Sequence, residues 1–99
     1  FSAKIGTPVY ATADGVIIKS HYWGSYGNYI EIDHGYGYKT VYAHLNKRKV
    51  KKRQTVSRGD IIGTLGNTGK STAPHLHYEI KKNNKRINPK DYYFTDSHI

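Results

Sequence analysis

Pro74-His75-Leu76-His77-Tyr78-Glu79-Ile80 is the stretch of this chain whose residue types and spacing could do chemistry. Polar and apolar residues alternate through it, which is the pattern of a β-strand. At period two His75, His77 and Glu79 share one face, and Leu76, Tyr78 and Ile80 share the other. Same-face neighbours on a strand lie about 6.6 Å apart. Two imidazoles at that spacing can serve one site, one as a metal ligand and the other as a proton-transfer or hydrogen-bonding group. Pro74 has no backbone donor and suits the strand's entry. The motif alone also fits two surface histidines on a half-exposed strand.

The elements that must position this strand read as strands too. With 99 residues the chain is one domain with a single core. Its apolar content is 36%, and ten tyrosines, one tryptophan and two phenylalanines must supply much of the buried area, which favours sheet over helix. Gly6 to Ala11 enters a first strand, Thr12-Ala13-Asp14-Gly15 reads as an Asp-Gly hairpin turn, and Val16 to His21 returns. Tyr22 to Gly27 reads as a loop. From Asn28 to Asp33, Ile30 and Ile32 face the core while Tyr29, Glu31 and Asp33 face out. After a glycine turn at His34 to Gly37, Tyr38, Thr40, Tyr42 and His44 lie on one face of the next strand. Asn46 to Arg53 connects to a turn at Val56 to Asp60 and a strand at Ile61 to Leu65. Gly66 to Ala73 is a polar approach to the His-x-His strand, and Asn83-Asn84 turns that strand back. Asn88-Pro89 ends the sheet, leaving 89–99 as a tail with room for one helical turn. The chain reads as all-β: a single compact antiparallel β-sheet domain.

There are no cysteines, so disulfides and thiolate metal sites are excluded and a metal would use histidine and carboxylate. No apolar run reaches 18 residues, so no membrane span is expected in this segment. Sixteen basic residues against seven acidic ones give a net charge of +9, which favours a polyanionic partner: nucleic acid, anionic lipid or an anionic cell wall. The basic residues concentrate at Lys47-Arg48-Lys49, Lys51-Lys52-Arg53 and Lys81 to Arg86. Two short stretches resemble familiar motifs without meeting their requirements. Gly69-Lys70-Ser71 lacks the first glycine of a phosphate-binding loop, since Thr64 stands there, and Pro74 blocks the helix that would follow. Arg58-Gly59-Asp60 is ordinary turn-to-strand sequence.

A longer pattern runs through these elements. Gly6-Thr7-Pro8-Val9-Tyr10-Ala11, Asp14-Gly15-Val16, Gly27-Asn28-Tyr29, His34-Gly35, Tyr42-Ala43-His44-Leu45 and Ser71-Thr72-Ala73-Pro74-His75-Leu76-His77-Tyr78-Glu79-Ile80 occur in that order. The set resembles the lysostaphin-type zinc metallopeptidases, also called the M23 or LytM-type family, from Phe1 to about Asn88-Pro89. The resemblance implies a duplicated-hybrid-motif-like antiparallel sheet with a groove, and cleavage of peptide bonds in the stems or cross-bridges of bacterial peptidoglycan. It implies zinc (Zn2+) as cofactor, His77 as a ligand, and His44 and His75 as two catalytic histidines that are not ligands. Such histidines can take a proton from water, stabilise an oxyanion and protonate the departing amine. A periplasmic, extracellular or cell-wall-associated location is implied as well.

The family takes two further ligands from a His-x-Gly-x-Asp motif whose aspartate falls, in the aligned pattern, immediately before Phe1. An upstream domain or segment of the same protein is therefore expected to supply them, with residues 1–99 as an N-terminally truncated peptidase domain. One protein ligand alone holds zinc weakly, so this segment by itself is expected to be inactive. His21, Asp14, His34 and Asp33 are of the right type to substitute, but Asp14 and His34 sit at turns; His98 lies in the tail. Replacement is not expected. The loops Tyr22 to Gly27 and Asn46 to Arg53 are expected to wall the groove, and the sequence leaves open whether a glycyl bridge or a D-amino-acid stem bond is cut.

Other functions remain for comparison. A non-catalytic LytM-type module that binds cell wall or regulates hydrolases is the alternative, although such modules typically lose the histidines kept here. Nucleic acid would explain the charge, but no nucleic-acid motif is present, and peptidoglycan is the expected partner. A biotinyl or lipoyl carrier shares the Gly-Asp-Ile-Ile turn, yet Asn83-Asn84 occupies the hairpin tip where a lysine is needed.

Overall fold

The sheet is organised around its longest strand, β4 (Tyr38–Arg48), whose tyrosines, threonine and valine suit a pleated surface buried on both sides. In the computed structural model the described residues are 4–68, 76–87 and, for the backbone alone, 91–92. The remaining strands among them are β1 (Pro8–Tyr10), β2 (Gly15–Trp23), β3 (Gly27–Gly35), β5 (Thr55–Val56), β6 (Ile61–Leu65), β7 (Leu76–Lys82), β8 (Lys85–Arg86) and β9 (Asp91–Tyr92). All pairings are antiparallel, in the order β1-β6-β4-β3-β2-β5, with β7 joining β4, β8 and β9. One side of β4 pairs with β3 from Tyr38 to Leu45. Its other side forks: residues 38–43 pair with β7, and Leu45 to Arg48 pair with β6.

Ile17, Ile30, Ile32, Tyr42, Leu45 and Leu76 are among the residues that pack into the main core on one face. Burying each large aliphatic side chain stabilises the fold by about 1.5–3 kcal/mol. Tyr42 is fully buried, and its hydroxyl is met by Thr12 Oγ1 at 2.8 Å, Thr12 N at 3.2 Å and Thr40 Oγ1 at 2.9 Å. Burial outweighs these hydrogen bonds and holds the Tyr42 hydroxyl pKa above its ordinary value. The opposite face carries a smaller cluster of Tyr29, Val41 and Ala43, with Tyr26 against it.

The observed pairings depart from the sequence expectations at several places. Asp14-Gly15 is not a hairpin turn, because β1 leaves β2 and pairs with β6. Asp14 instead accepts from the Arg58 N–H at 2.7 Å, and a Cβ on Gly15 would lie 2.5 Å from Asp33 O. That glycine serves a close backbone approach. Tyr22 to Gly27 is not wholly a loop: β2 runs on to Trp23 and a 3-10 turn covers Gly24–Tyr26. Tyr29 and Glu31 do leave the main core, but only 2% and 3% of their surfaces are exposed. Pro89 does not end the sheet, since β9 pairs Leu76 with Tyr92 and His77 with Asp91. Residues 89–90 and 93–99 of the tail, and Gly69-Lys70-Ser71, lie outside the described residues. The two short turns are as expected: Tyr36 and Gly37 have φ of 54° and 81°, and Asn83 and Asn84 have 51° and 65°, the two-residue hairpin geometry that glycine and asparagine favour. No helix among the described residues is long and apolar enough to cross a membrane.

Candidate metal and catalytic site

The alternation in β7 puts His77 and Glu79 on the face away from the main core. His77 Nε2 and Glu79 Oε2 are 2.5 Å apart, and Arg86 Nε stands 3.5 Å from the other carboxylate oxygen. A carboxylate accepts only, so the imidazole donates Nε2–H. Glu79 is 3% exposed. Register places Glu31, Val41 and Glu79 side by side across β3, β4 and β7. The second carboxylate of that row, Glu31, accepts the Tyr29 hydroxyl at 2.8 Å and has Lys19 at 3.8 Å and Lys81 at 3.7 Å. Burial, then the hydrogen bond and negative charge of Glu31, push the Tyr29 hydroxyl far above its usual titration range. Tyr29 thus serves as the hydroxyl donor to Glu31.

His44 reaches the same face by a local irregularity. Ile30 pairs with Tyr42 and Asn28 with Leu45, so Ala43 and His44 together oppose the single residue Tyr29. This is a β-bulge, and His44 absorbs it with φ of 61°, a left-handed conformation costly for a side-chain-bearing residue. Strict alternation would leave His44 beside Tyr42. Instead its ring meets that of His77, with centroids 5.8 Å apart and planes at 88°. His44 Nδ1 lies 2.7 Å from Thr68 O. A carbonyl can only accept, so Nδ1 carries the proton and the lone pair of the neutral ring is on Nε2.

The clamp behind His44 is continuous. Thr68 Oγ1 donates to Leu45 O at 2.6 Å and accepts the Asn28 N–H at 3.0 Å. The Asn28 amide donates to Leu45 O and Asn46 O at 3.1 and 3.0 Å and accepts from Arg48 Nε at 3.0 Å. On the other side of the histidine pair, Tyr26 meets His77 at 5.9 Å between centroids, and Trp23 meets Tyr26 at 5.6 Å and Tyr29 at 5.0 Å. An aromatic wall thus runs from half-exposed Trp23 to the imidazoles.

Of the sequence-predicted site residues, His44 and His77 are brought together, while His75 lies outside the described residues, as does His98. Asp14 and His34 are engaged elsewhere: His34 Nδ1 is 2.6 Å from Asp14 O, and Nε2 is 2.6 Å from Thr40 Oγ1. Asp33 accepts from the Gly35 N–H at 2.9 Å, and His21 packs on Trp23 and Tyr29. Among the described residues no group of three His, Cys, Asp or Glu side chains is placed to hold a metal. His77 nevertheless fits one ligand position, because metal-bound imidazoles characteristically donate their second nitrogen's proton to a carboxylate or carbonyl. Sequence reasoning placed Glu79 on the His77 face but had no signal for its burial or its bond to the ring. Asn28 stood in the family pattern with no role attached, and Thr68 carried no signal, since their contacts span 17 to 40 residues.

The sequence model described as Peptidase family M23 matches residues 1–89. The chain is 50% identical over 88 residues to the peptidoglycan DD-endopeptidase ShyA of Vibrio cholerae, covering 89% of this chain and 20% of that protein. A zinc-containing peptidase from Vibrio cholerae superposes with a TM-score of 0.84 at 45% identity, covering 90% of this chain and 26% of the other. The catalytic domain of the antimicrobial peptidase lysostaphin from Staphylococcus simulans does so with 0.81 at 38% identity, over 90% and 71%. The chain therefore spans about a fifth of the length of the curated relative it matches.

Proposed function

The chain belongs to peptidase family M23, and from that premise we propose that it forms the catalytic domain of a zinc-dependent endopeptidase that cuts peptide bonds in bacterial peptidoglycan. One observation carries the reading: the β4 bulge turns His44 onto the face where His77 is held by a buried carboxylate. His77 is one zinc ligand. The others come from outside the described residues, in keeping with the relatives' greater length. When bound, the zinc supplies a Lewis acid that polarises the scissile carbonyl and makes water more acidic.

The chain's own residues do the rest. His44 has its Nδ1–H fixed on Thr68 O and presents Nε2 as the basic atom, so it takes the proton of the attacking water and delivers it to the departing amine. His75 is the second catalytic histidine and donates to the developing oxyanion. The wall of Trp23, Tyr26 and Tyr29 orients the peptide beside the imidazoles and limits water. Action on peptidoglycan implies a periplasmic or extracellular location, as the names of the relatives suggest.

The test is digestion of purified peptidoglycan by the full-length protein, followed by mass analysis of the released muropeptides. New amine ends, lost on zinc chelation and in His77→Ala and restored to the wild type by added zinc, are expected. Intact wall after incubation with zinc-loaded protein, with the protein retained on it, would overturn the reading in favour of a wall-binding module.

A further inference from the structure

We propose that Glu79 is the positioning residue of the metal site, locking the His77 imidazole as its Nε2–H tautomer so that metal ligation falls to Nδ1. This rests on the reading of His77 as a ligand and adds to it a residue that never touches metal or substrate.

A carboxylate that is 3% exposed loses most of its hydration and persists only where strong partners replace it. Glu79 also shares a row with Glu31, two strands away across Val41, so like charge adds to the penalty. Glu31 has its own cover in Tyr29, Lys19 and Lys81. Glu79 has Arg86, whose side chain is 46% exposed and whose Nε stands 3.5 Å away, a weak contact. Its short bond, 2.5 Å, goes to His77 Nε2. The strand geometry makes the pair self-aligning, since residues i and i+2 of β7 lean on one face. The ring cannot swing away from the carboxylate without disturbing its edge contacts with Tyr26 at 5.9 Å and His44 at 5.8 Å. Orientation and tautomer of His77 are therefore constrained by a buried acid. Removal of such an outer partner typically weakens metal affinity about 10- to 100-fold.

The test uses full-length protein labelled with 15N-histidine and stripped of metal, together with zinc affinity from chelator competition. In the wild type the His77 ring is expected to show the Nε2–H tautomer by its long-range 15N–1H correlations. Glu79→Gln should mix the tautomers and weaken zinc binding about 10- to 100-fold. Arg86→Ala, which removes the other partner of Glu79 among the described residues, should leave the His77 tautomer intact and zinc affinity within about threefold of wild type. An Nδ1–H tautomer in the wild-type protein overturns the proposal without need of any variant. Unchanged zinc affinity in Glu79→Gln, alongside a large loss in His77→Ala, overturns it while leaving His77 as a ligand. Unchanged affinity in His77→Ala removes the ligand reading itself and the proposal with it.

Discussion

His44 and His77 meet edge to face at 88°, on strands whose regular alternation would send them to opposite faces of the sheet. Ala43 is the direct neighbour of His77 in the β4–β7 register, and His44 is the next residue along. The bulge opposite Tyr29 cancels that one-residue offset. It sits where β4 changes partner from β7 to β6, so the lost pairing falls at a place already free of a continuous neighbour. The strained φ of 61° is held by Thr68, which follows β6, and by Asn28 of β3.

Substituting His44 separates its chemical role from its backbone role. His44→Ala and His44→Asn should each lower the rate of peptidoglycan cleavage by about 10²- to 10⁴-fold, the usual worth of a general acid–base group. Asparagine tolerates the left-handed region and keeps an N–H donor for Thr68 O, so His44→Asn should be about 1 kcal/mol more stable than His44→Ala. Urea unfolding compares the stabilities, and muropeptide release measures the rates. Equal stabilities would mean that neither the φ nor the Thr68 bond is strained or needed.

The all-β class, the two asparagine and glycine turns and the faces of β7 were legible in the sequence, because each follows from period-two alternation or from residues that accept positive φ. The bulge at His44 was not. Its cause is the pairing of β4 with three different strands, which no local window contains. The Asp14-Gly15 pair misled for a related reason: its glycine answers a steric demand from Asp33, 18 residues away, and not a turn. Burial of Tyr29, Glu31 and Glu79 was also hidden, since alternation gives the face of a side chain but not what covers it. Lys19, Lys81, Arg86 and Tyr26 do the covering here.

The aromatic wall should act on substrate positioning more than on chemistry. Trp23 supports Tyr26, which in turn meets His77. Trp23→Ala removes one aromatic pairing on each of Tyr26 and Tyr29, each worth about 1 kcal/mol to the packing of the wall, and should lower kcat/KM by loosening that wall. Steady-state kinetics on soluble muropeptides should place the loss mainly in KM. A loss confined to kcat would mean that Trp23 instead fixes the reacting groups.

Alkaline stability should be limited by two buried tyrosines. Tyr29 and Tyr42 have pKa values raised in the folded protein, in both cases chiefly by burial, so above pH about 10 the unfolded chain releases protons that the native one keeps. Their contribution is fully present below the unfolded pKa and is lost as pH rises past it, by about 1.4 kcal/mol per pH unit for each tyrosine. Unfolding free energies from urea titrations between about pH 8 and 11.5 should fall with the summed slope of the two tyrosines. Tyr29→Phe should remove one proton's share of the slope, at the cost of leaving Glu31 without its hydroxyl donor. An unchanged slope in both Tyr29→Phe and Tyr42→Phe would place the alkaline sensitivity elsewhere.

Gly66 couples the fold to the catalytic face most directly. A Cβ there would lie 2.2 Å from Asn46 N and 2.6 Å from both Asn46 Cα and Leu45 C, all of them backbone atoms. Nothing flexible can give way, so Gly66→Ala must push β6's exit away from the residues just after His44. Overpacking of this kind costs about 1–3 kcal/mol. Thr68, two residues beyond Gly66, holds His44 Nδ1, and the same shift pulls that carbonyl out of line. Activity should therefore fall more than the loss of folded protein accounts for. Gly59→Ala is the matched control: its Cβ meets nothing within 4 Å, and its penalty comes only from φ of 88°. That variant should lose about 1 kcal/mol of stability and keep full activity per folded molecule. Comparing the two by unfolding midpoint and by specific cleavage rate decides the matter: equal specific rates would show that the Gly66 contact is structural alone.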